Sequence, residues 1–393
     1  MLVRRLGAAV TLVLVFLMNF LGRWIYSPLL LPIREDLGFS YGQMGSLFLF
    51  ITLGYAVTVL FSGYFARAFL NRGAILTSAF GAALATVVIS LSGSIWSLRL
   101  GLLLLGSLSG LYMASAMTTL TDLIPEHHWG KAMALHEVAP ILALLGAPLV
   151  VNILMSTMDW RSILRILAGG SFLVAILLLP WRNLGRSRGQ APNFRYLREI
   201  LPDPRFRLIF VGFATAVGAE VGTYAILPAF LTTERGLPLE EVNRLVGFSR
   251  LTALGVVLVS GQLRDILGDR VVMVGALGLA GVITIVMGWA TGSILVAAVW
   301  IQPGVVAAFF PSALTALAGA SPKGARNVAF SLVFPPAYIL GAGVVPTVLG
   351  HLGQSGGFGR GLVALGAWSL LVVALNLFGY RGVQKGKTPS ATS

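Results

Sequence analysis

Residues 260–270 read Ser-Gly-Gln-Leu-Arg-Asp-Ile-Leu-Gly-Asp-Arg, and residues 62–72 read Ser-Gly-Tyr-Phe-Ala-Arg-Ala-Phe-Leu-Asn-Arg. Each is a short polar stretch between long apolar runs. A shift of 198 residues lays Ser62-Gly63 on Ser260-Gly261 and Arg72 on Arg270. The same shift carries Tyr26 onto Tyr224, Gly38 onto Gly236 and Leu47 onto Leu245. After a three-residue slip, a shift of 195 takes Lys131 to Arg326, Ala134 to Ala329, Val138 to Val333, Pro140 to Pro335 and Gly146-Ala147 to Gly341-Ala342. Isolated identities are cheap in apolar sequence, but these fall at corresponding loops and helix positions. An internal repeat of this length fixes architecture before any local reading does.

Composition says what the repeated unit is made of. The chain has 393 residues, 56% of them apolar and only 11% charged, where a soluble domain carries about 25% charged residues. So few charges cannot cover a water-facing surface, which excludes a soluble enzyme and a nucleic-acid binder despite the net charge of +14. A spanning helix needs about 20 mostly apolar residues. Twelve such segments are read at 8–33, 42–66, 73–93, 98–123, 130–157, 162–181, 207–232, 242–263, 271–290, 293–319, 326–350 and 360–380. The first opens like a signal peptide, but its apolar run continues to Ile33 with no small-residue cleavage site, so it is read as an uncleaved helix.

The polar stretch from Arg182 to Arg207, with three prolines and seven arginines, divides the segments six and six. The expected organisation is a bundle over 1–181, a cytoplasmic linker over 182–206, and a second bundle with a short tail over 207–393. The linker lies against anionic headgroups or is a solvated connector; the residues alone do not choose. With both termini cytoplasmic, 19 of the 28 Lys and Arg fall on the cytoplasmic side, 7 on the other, and Arg23 and Arg250 within spans. That asymmetry predicts N-in, C-in and accounts for the basic charge without an acidic partner. The fold class read here is an all-α membrane protein, twelve transmembrane helices in two pseudo-symmetric six-helix bundles. Paired repeats of this kind signify a transporter with its site near the midplane between them.

Absences narrow the chemistry. Cysteine is missing, so disulfides, iron–sulfur clusters and cysteine nucleophiles are excluded. Four histidines, two of them the adjacent His127 and His128, suit no dedicated metal site. No phosphate-binding Gly-rich loop, His-Glu-x-x-His pair or buried nucleophile–base set is present, so no cofactor, metal or enzymatic activity is expected.

The stretch Gly261-Gln-Leu-Arg-Asp265-Ile-Leu-Gly268-Asp-Arg270 is similar to the G-x-L-x-D-x-x-G-x-R signature of the major facilitator superfamily. Trp160-Arg161 and Gly146-Ala-Pro148 also look like features of that family, and the chain resembles it over nearly its whole length. The resemblance implies alternating access and makes Gly63, Arg72, Gly261, Asp265 and Arg270 the expected gating loops. There a carboxylate meets a basic residue, or caps a neighbouring helix, in one state only. Arg67 stands where Asp265 does in the second half, so the first loop departs from the signature. Over about the first 70 residues, Gly22-Arg23, Leu37-Gly38-Phe39-Ser40, Gln43-Met44-Gly45 and Gly54-Tyr55 resemble anion:cation symporters of organic acids. Those carriers typically have an acidic residue in helix 4, where this chain offers Gly106 to Gly110 and then Tyr112.

Charges at membrane depth cost several kcal/mol and are functional hypotheses by default. Counting ~1.5 Å per residue, Arg23 lies on the order of 15 Å below the outer end of helix 1, Glu220 roughly 20 Å below that of helix 7, and Arg250 about 12 Å below that of helix 8. The repeat sets Arg23 opposite Val221, beside Glu220. One reading is an anion site, with Arg23 as a bidentate carboxylate clamp and Glu220 as its exchangeable, proton-taking partner. The other is a permanent ion pair, Arg23 or Arg250 with Glu220, holding helices in register. Tyr26 and Tyr224, one turn from those charges, add donors for an oxyanion; Arg250, Gln302 and Tyr338 complete the expected substrate-binding set. Glu220, Glu137 and His136 are the proton-coupling candidates. For His136 and Glu137, helix–helix hydrogen bonding near the interface is the reading set against that one and the one preferred, and the two point about 100° apart on their helix.

The expectation is therefore a secondary transporter symporting a small organic anion with protons, monomeric, in a bacterial inner membrane, its partners being substrate, protons and the lipid bilayer and no nucleic acid. The alternatives are a proton-coupled exporter of lipophilic or cationic compounds, and a non-transporting receptor or lipid scramblase on the same fold.

Overall fold

The computed structural model describes residues 2–125, 128–189, 201–320 and 326–385, and among them the secondary structure is helical, with no strand. Glu126, His127, residues 190–200 of the central linker and the last eight residues lie outside the described residues, as do the side chains of Lys131 and Arg326. The first half comprises α1 (Leu2–Trp24), α2 (Tyr26–Leu37), α3 (Tyr41–Ser90), α4 (Ile95–Gly110), α5 (Tyr112–Leu123), α6 (Trp129–Leu154) and α7 (Trp160–Ile176). The second comprises α8 (Pro204–Val217), α9 (Thr223–Thr233), α10 (Leu239–Leu267), α11 (Asp269–Trp289), α12 (Gly292–Ala307), α13 (Phe309–Ala320), α14 (Arg326–Tyr338), α15 (Val345–Gln354) and α16 (Phe358–Lys385). Two π-helical turns, Gly218–Gly222 and Ile339–Val344, join α8 to α9 and α14 to α15.

Ten helical stretches among the described residues are long and apolar enough to cross a bilayer, against twelve segments read from sequence. The difference has two causes. Helix α3 is continuous over 50 residues, about 75 Å at ~1.5 Å per residue, which is more than twice a hydrocarbon core of about 30 Å. It bends at Leu70, whose φ of 63° and ψ of 163° are non-helical, leaving legs over 41–69 and 71–90. Helix α7 has 17 residues, a little short of the usual span. Large exposed side chains such as Ile266, Trp289 and Leu258 ring the outside, as a lipid-facing surface requires, while aromatic and small residues fill the interior.

The repeat is written in the backbone. Gly38 and Gly236 both take φ 68°, and Leu70 and Gly268 (φ 82°, ψ 153°) share an extended positive-φ conformation. Arg72 donates to the carbonyls of Trp181 and, at 3.3 Å, Leu179; Arg270 donates to those of Asn376 at 3.2 Å and Leu377 at 3.3 Å. Leu179 and Leu377 are themselves 198 apart, so the two arginines reach equivalent carbonyls, past the end of α7 in the first half and within α16 in the second. At the opposite ends, Asp36 holds Arg161 at 2.5 Å and the Trp160 indole at 3.2 Å. Its repeat mate Glu234 accepts the backbone amides of Phe358 at 2.5 Å and Gly359 at 2.9 Å.

The loops themselves are short. Gly63 and Gly261 lie inside α3 and α10, and the chain turns only at Leu70 and Gly268. The Asp265 carboxylate takes Arg264, its sequence neighbour, at 2.8 Å, and Arg264 reaches Thr315 of α13 at 3.3 Å. Arg72 and Arg270 each donate to carbonyls of their own half.

The halves meet where glycine lets backbones touch. A Cβ on Gly45 of α3 would collide with the Pro346 carbonyl of α15, and one on Gly350 with the Tyr41 carbonyl. Ser27 donates to the Tyr224 carbonyl at 2.7 Å, and the Tyr224 hydroxyl donates to the Leu144 carbonyl at 3.1 Å. The end of the molecule carrying Gly38 and Gly236 is thereby closed.

Candidate functional site

Arg23 occupies the last turn of α1, two residues before the helix breaks at Ile25. It is 3% exposed. Its Nε donates to the Asn19 carbonyl at 3.3 Å, and the guanidinium lies over the rings of Tyr55 at 4.1 Å and Phe20 at 4.8 Å. Among the described residues no carboxylate oxygen comes within 4.0 Å of it. Cation–π contact stabilises such a charge by about 2 kcal/mol when desolvated, less than a buried cation loses on leaving water. Tyr55, on α3, meets Tyr338 at the end of α14 with ring centroids 6.0 Å apart. Tyr338 lies in the electrostatic reach of Arg23, Glu220 and Glu137 together, so it stands between the charges of the two halves.

Glu220 sits in the Gly218–Gly222 π turn. Such turns insert one residue into a helix and are frequent at functional sites. Gln302 of α12 donates to the Ala219 carbonyl within the turn at 2.5 Å. Gly341, in the other π turn, packs so closely that a Cβ there would stand 2.6 Å from the Gly218 nitrogen and the Ala214 carbonyl. The cation acting on Glu220 is Arg250 of α10, although the two do not approach within 4.0 Å. Arg250 is 2% exposed, lies 4.9 Å from the Tyr224 ring, and its Nε and Nη1 have no hydrogen-bond partner. The Tyr26 hydroxyl and Trp24 Nε1 are likewise buried without partners.

The direct Arg23–Glu220 pairing expected from the repeat is therefore absent. The repeat sets Arg23 opposite Val221, and Glu220, one residue earlier, points about 100° away around its helix. Arg23 turns to a tyrosine shelf and Glu220 toward Arg250. Tyr224 faces Arg250, and its hydroxyl is spent on Leu144.

His136 and Glu137 differ in burial but touch, His136 Nδ1 lying 3.4 Å from Glu137 Oε1. His136 is 0% exposed, stacked on Phe16 at 4.3 Å and parallel to Tyr112 at 5.8 Å, while the Glu137 side chain is 53% exposed. The Glu137 carboxylate contributes to the electrostatic surroundings of Tyr55, Tyr112 and Tyr338. Two apolar recesses, one lined by Thr223, Phe230, Leu349 and Phe358 and the other by Gly212, Met273, Phe309 and Asn376, lie apart from these charges. Among the described residues no group of three or more His, Asp or Glu is disposed around a metal position.

Sequence reasoning passed over Asn19, whose carbonyl accepts from Arg23, and left Tyr55 out of the expected substrate-binding set. The signal for Tyr55 was available, since Gly54-Tyr55 belongs to the N-terminal resemblance. It also missed the segment after α7: Asn71 and Arg72 amides donate to the carbonyls of Ser187 at 3.1 Å and Gly185 at 2.9 Å, and Ser187 donates to Asp122 at 2.7 Å.

Comparison with known proteins gives the same architecture. The sequence profile of the Major Facilitator Superfamily matches residues 12–301. An "MFS-type efflux pump" of Mycolicibacterium smegmatis is 28% identical over 287 residues, which is 68% of this chain. The match spans 64% of that relative's length. Among solved structures, a bacterial homolog of the human lysosomal transporter Spinster, inward-facing and occupied, superposes with a TM-score of 0.82 at 17% identity, covering 98% of each chain. The nucleoside transporter NupG superposes with a TM-score of 0.80 at 14% identity, covering 94% of this chain and 99% of the other. At those identities the likeness is one of fold.

Proposed function

This chain belongs to the major facilitator superfamily of multi-pass membrane transporters, and we propose that it moves a small organic anion, a carboxylate, by alternating access with protons as the coupling ion. The observation carrying this reading is Arg23: a guanidinium buried in the first span, one face on Tyr55, with no carboxylate within 4.0 Å among the described residues. A planar fork so placed accepts a carboxylate bidentately, with charge-assisted bonds about twice as strong as neutral ones. Tyr338 closes the shelf from the other half and senses Glu220. In this reading Glu220, buffered by Arg250, is the carboxylate that takes a proton as substrate enters. Tyr26, Tyr224 and Gln302 shape the surrounding wall.

The architecture that goes with it is twelve spans, counting the two legs of α3 separately and including α7. They form halves over 1–181 and 207–393 joined by 182–206, N-in and C-in, as a monomer in a bacterial inner membrane. The distribution of arginines and the corresponding contacts of the two halves support this arrangement. A second reading, proton-coupled export of lipophilic or cationic compounds, is favoured by the name of the curated relative and by the half-exposed Glu137. There Glu137 or Glu220 is the proton site and Arg23 its neighbour.

Uptake of a carboxylate panel into proteoliposomes, with and without an imposed pH gradient, separates the two. Arg23→Lys keeps the charge and loses the fork, and carboxylate uptake is expected to fall tenfold or more. If every transported anion is carried as fast by that variant, the carboxylate reading fails. Gradient-driven accumulation that survives Glu220→Gln removes Glu220 from coupling.

A further inference from the structure

The His136–Glu137 pair carries a hydrogen-bond count that closes only with one proton more than a neutral imidazole and an ionised carboxylate supply. The count starts at Leu12, whose carbonyl oxygen can only accept. The Tyr112 hydroxyl stands 2.5 Å from it, so the phenol's single hydrogen is spent there. His136 Nε2 lies 3.2 Å from the same phenolic oxygen. That oxygen has only lone pairs left to offer, so Nε2 carries a hydrogen. A neutral imidazole has just one N–H, and Nδ1 would then aim a bare lone pair at Glu137 Oε1, 3.4 Å away. Two lone pairs facing each other repel. A proton between them makes the contact attractive, as imidazolium against carboxylate or as imidazole against carboxylic acid.

The ring cannot evade the count. It is fully buried, stacked on Phe16 at 4.3 Å and 16° from parallel, and lies 7° from parallel to the Tyr112 ring, whose hydroxyl meets Nε2. Turning it by half a revolution would set carbons against both oxygens. The groups facing the pair are Tyr112 from α5, the Leu12 carbonyl and Phe16 from α1, and Tyr55 and Tyr338 across the interior, with Arg23 beyond Tyr55.

We propose that His136 and Glu137 form a proton-binding dyad, one proton held between Nδ1 and Oε1, with the tautomer fixed by Tyr112 and exchange with water through the exposed Glu137. Loading takes a proton from water and unloading returns it, with no other bond made or broken. The dyad deepens the proton coupling proposed above and rests on that reading only for what the proton drives.

The test uses the full chain in lipid nanodiscs with 15N-labelled histidine, His136 being assigned by its loss in His136→Asn. Nitrogen NMR and difference infrared spectra are recorded without substrate from acidic to alkaline pH. The expected result is a doubly protonated His136 ring, or a carboxylic-acid carbonyl band, that disappears in Glu137→Gln. Tyr112→Phe, which frees Nε2, is expected to convert the ring to a singly protonated Nδ1–H form. A wild-type ring that is singly protonated while Glu137 is ionised at every pH overturns the proposal, as does a doubly protonated ring unchanged in Tyr112→Phe. Because these signals need no substrate, wild-type protein that moves no carboxylate yet shows the dyad strikes only the anion reading.

Discussion

The two halves agree at their ends and differ in the middle. At the ends, Gly38 and Gly236 share one φ, Arg72 and Arg270 reach equivalent carbonyls, and Asp36 and Glu234 reach equivalent helix starts. In the middle, Arg23 of the first half faces its own tyrosines, while the second half has Val221 at that place and spends its charges on Glu220 and Arg250. What the repeat preserves is the scaffold that holds helix ends. What it gives up is the interior, where two different walls enclose an asymmetric ligand better than two copies of one wall.

The strongest way to break the comparison is to make the middle symmetric. Arg23→Val gives the first half its partner's residue, and uptake of any transported anion is expected to fall on the order of 100-fold, the loss of a charge-assisted fork. Retained uptake in proteoliposomes would mean that the midplane difference is incidental. The ends should respond through stability instead. Glu234→Ala strands two amide donors and should cost about 2–3 kcal/mol, read as a lowered melting midpoint in detergent. Asp36→Ala removes an exposed pair worth about 1 kcal/mol or less. Equal losses would show that the two ends are held alike despite their different partners.

A third measurement sharpens the contrast between the turns. Leu70 carries in the first half a backbone conformation that suits glycine, at a cost of about 1–3 kcal/mol, whereas Gly268 carries it without strain. Leu70→Gly is expected to raise stability by about 1 kcal/mol and Gly268→Leu to lower it by about 1–2 kcal/mol. The smallest effect concerns pH. Asp159 accepts the Ser162 amide at 2.8 Å, and hydrogen bonds from Ser162, with Arg165 and Arg161 nearby, hold its carboxyl below the usual range; the repeat puts Gly357 at that place. A depressed carboxyl stabilises the fold above its unfolded value of about 3.9, and that contribution fades as pH falls from there through the folded value. The stability gap between wild type and Asp159→Ala, about 1 kcal/mol at neutral pH, should therefore close in acid.

The scaffold was legible in the sequence because loops announce themselves: Gly38, Gly236, Arg72 and Arg270 stand at fixed separation, and each does the same job in both halves. The bend at Leu70 was not legible, since leucine carries no turn signal and the conformation is held from outside, by Ser187 and Gly185. Those residues read as polar linker among Arg182, Arg186 and Arg188, yet their carbonyls serve the first loop. The interior was half legible. Arg23 and Arg250 are buried and Glu220 is partly buried, but azimuth decides partners, and a π turn changes azimuth without changing sequence. Stacking of Arg23 on Tyr55 joins two helices far apart in the chain, which no local pattern encodes.

The π turn at Gly218–Gly222 holds one residue more than an α-helix would need for the same rise. Such a wrinkle can travel: if it shifts by one position, every hydrogen bond behind it closes as an ordinary helical bond, and the residue it passes swings about 100° around the axis. Glu220 rides on that wrinkle, braced by Gln302 on one flank and by the bare face of Gly341 on the other. The acid is thus held at an angle around the helix that an uninterrupted α-helix would not give it.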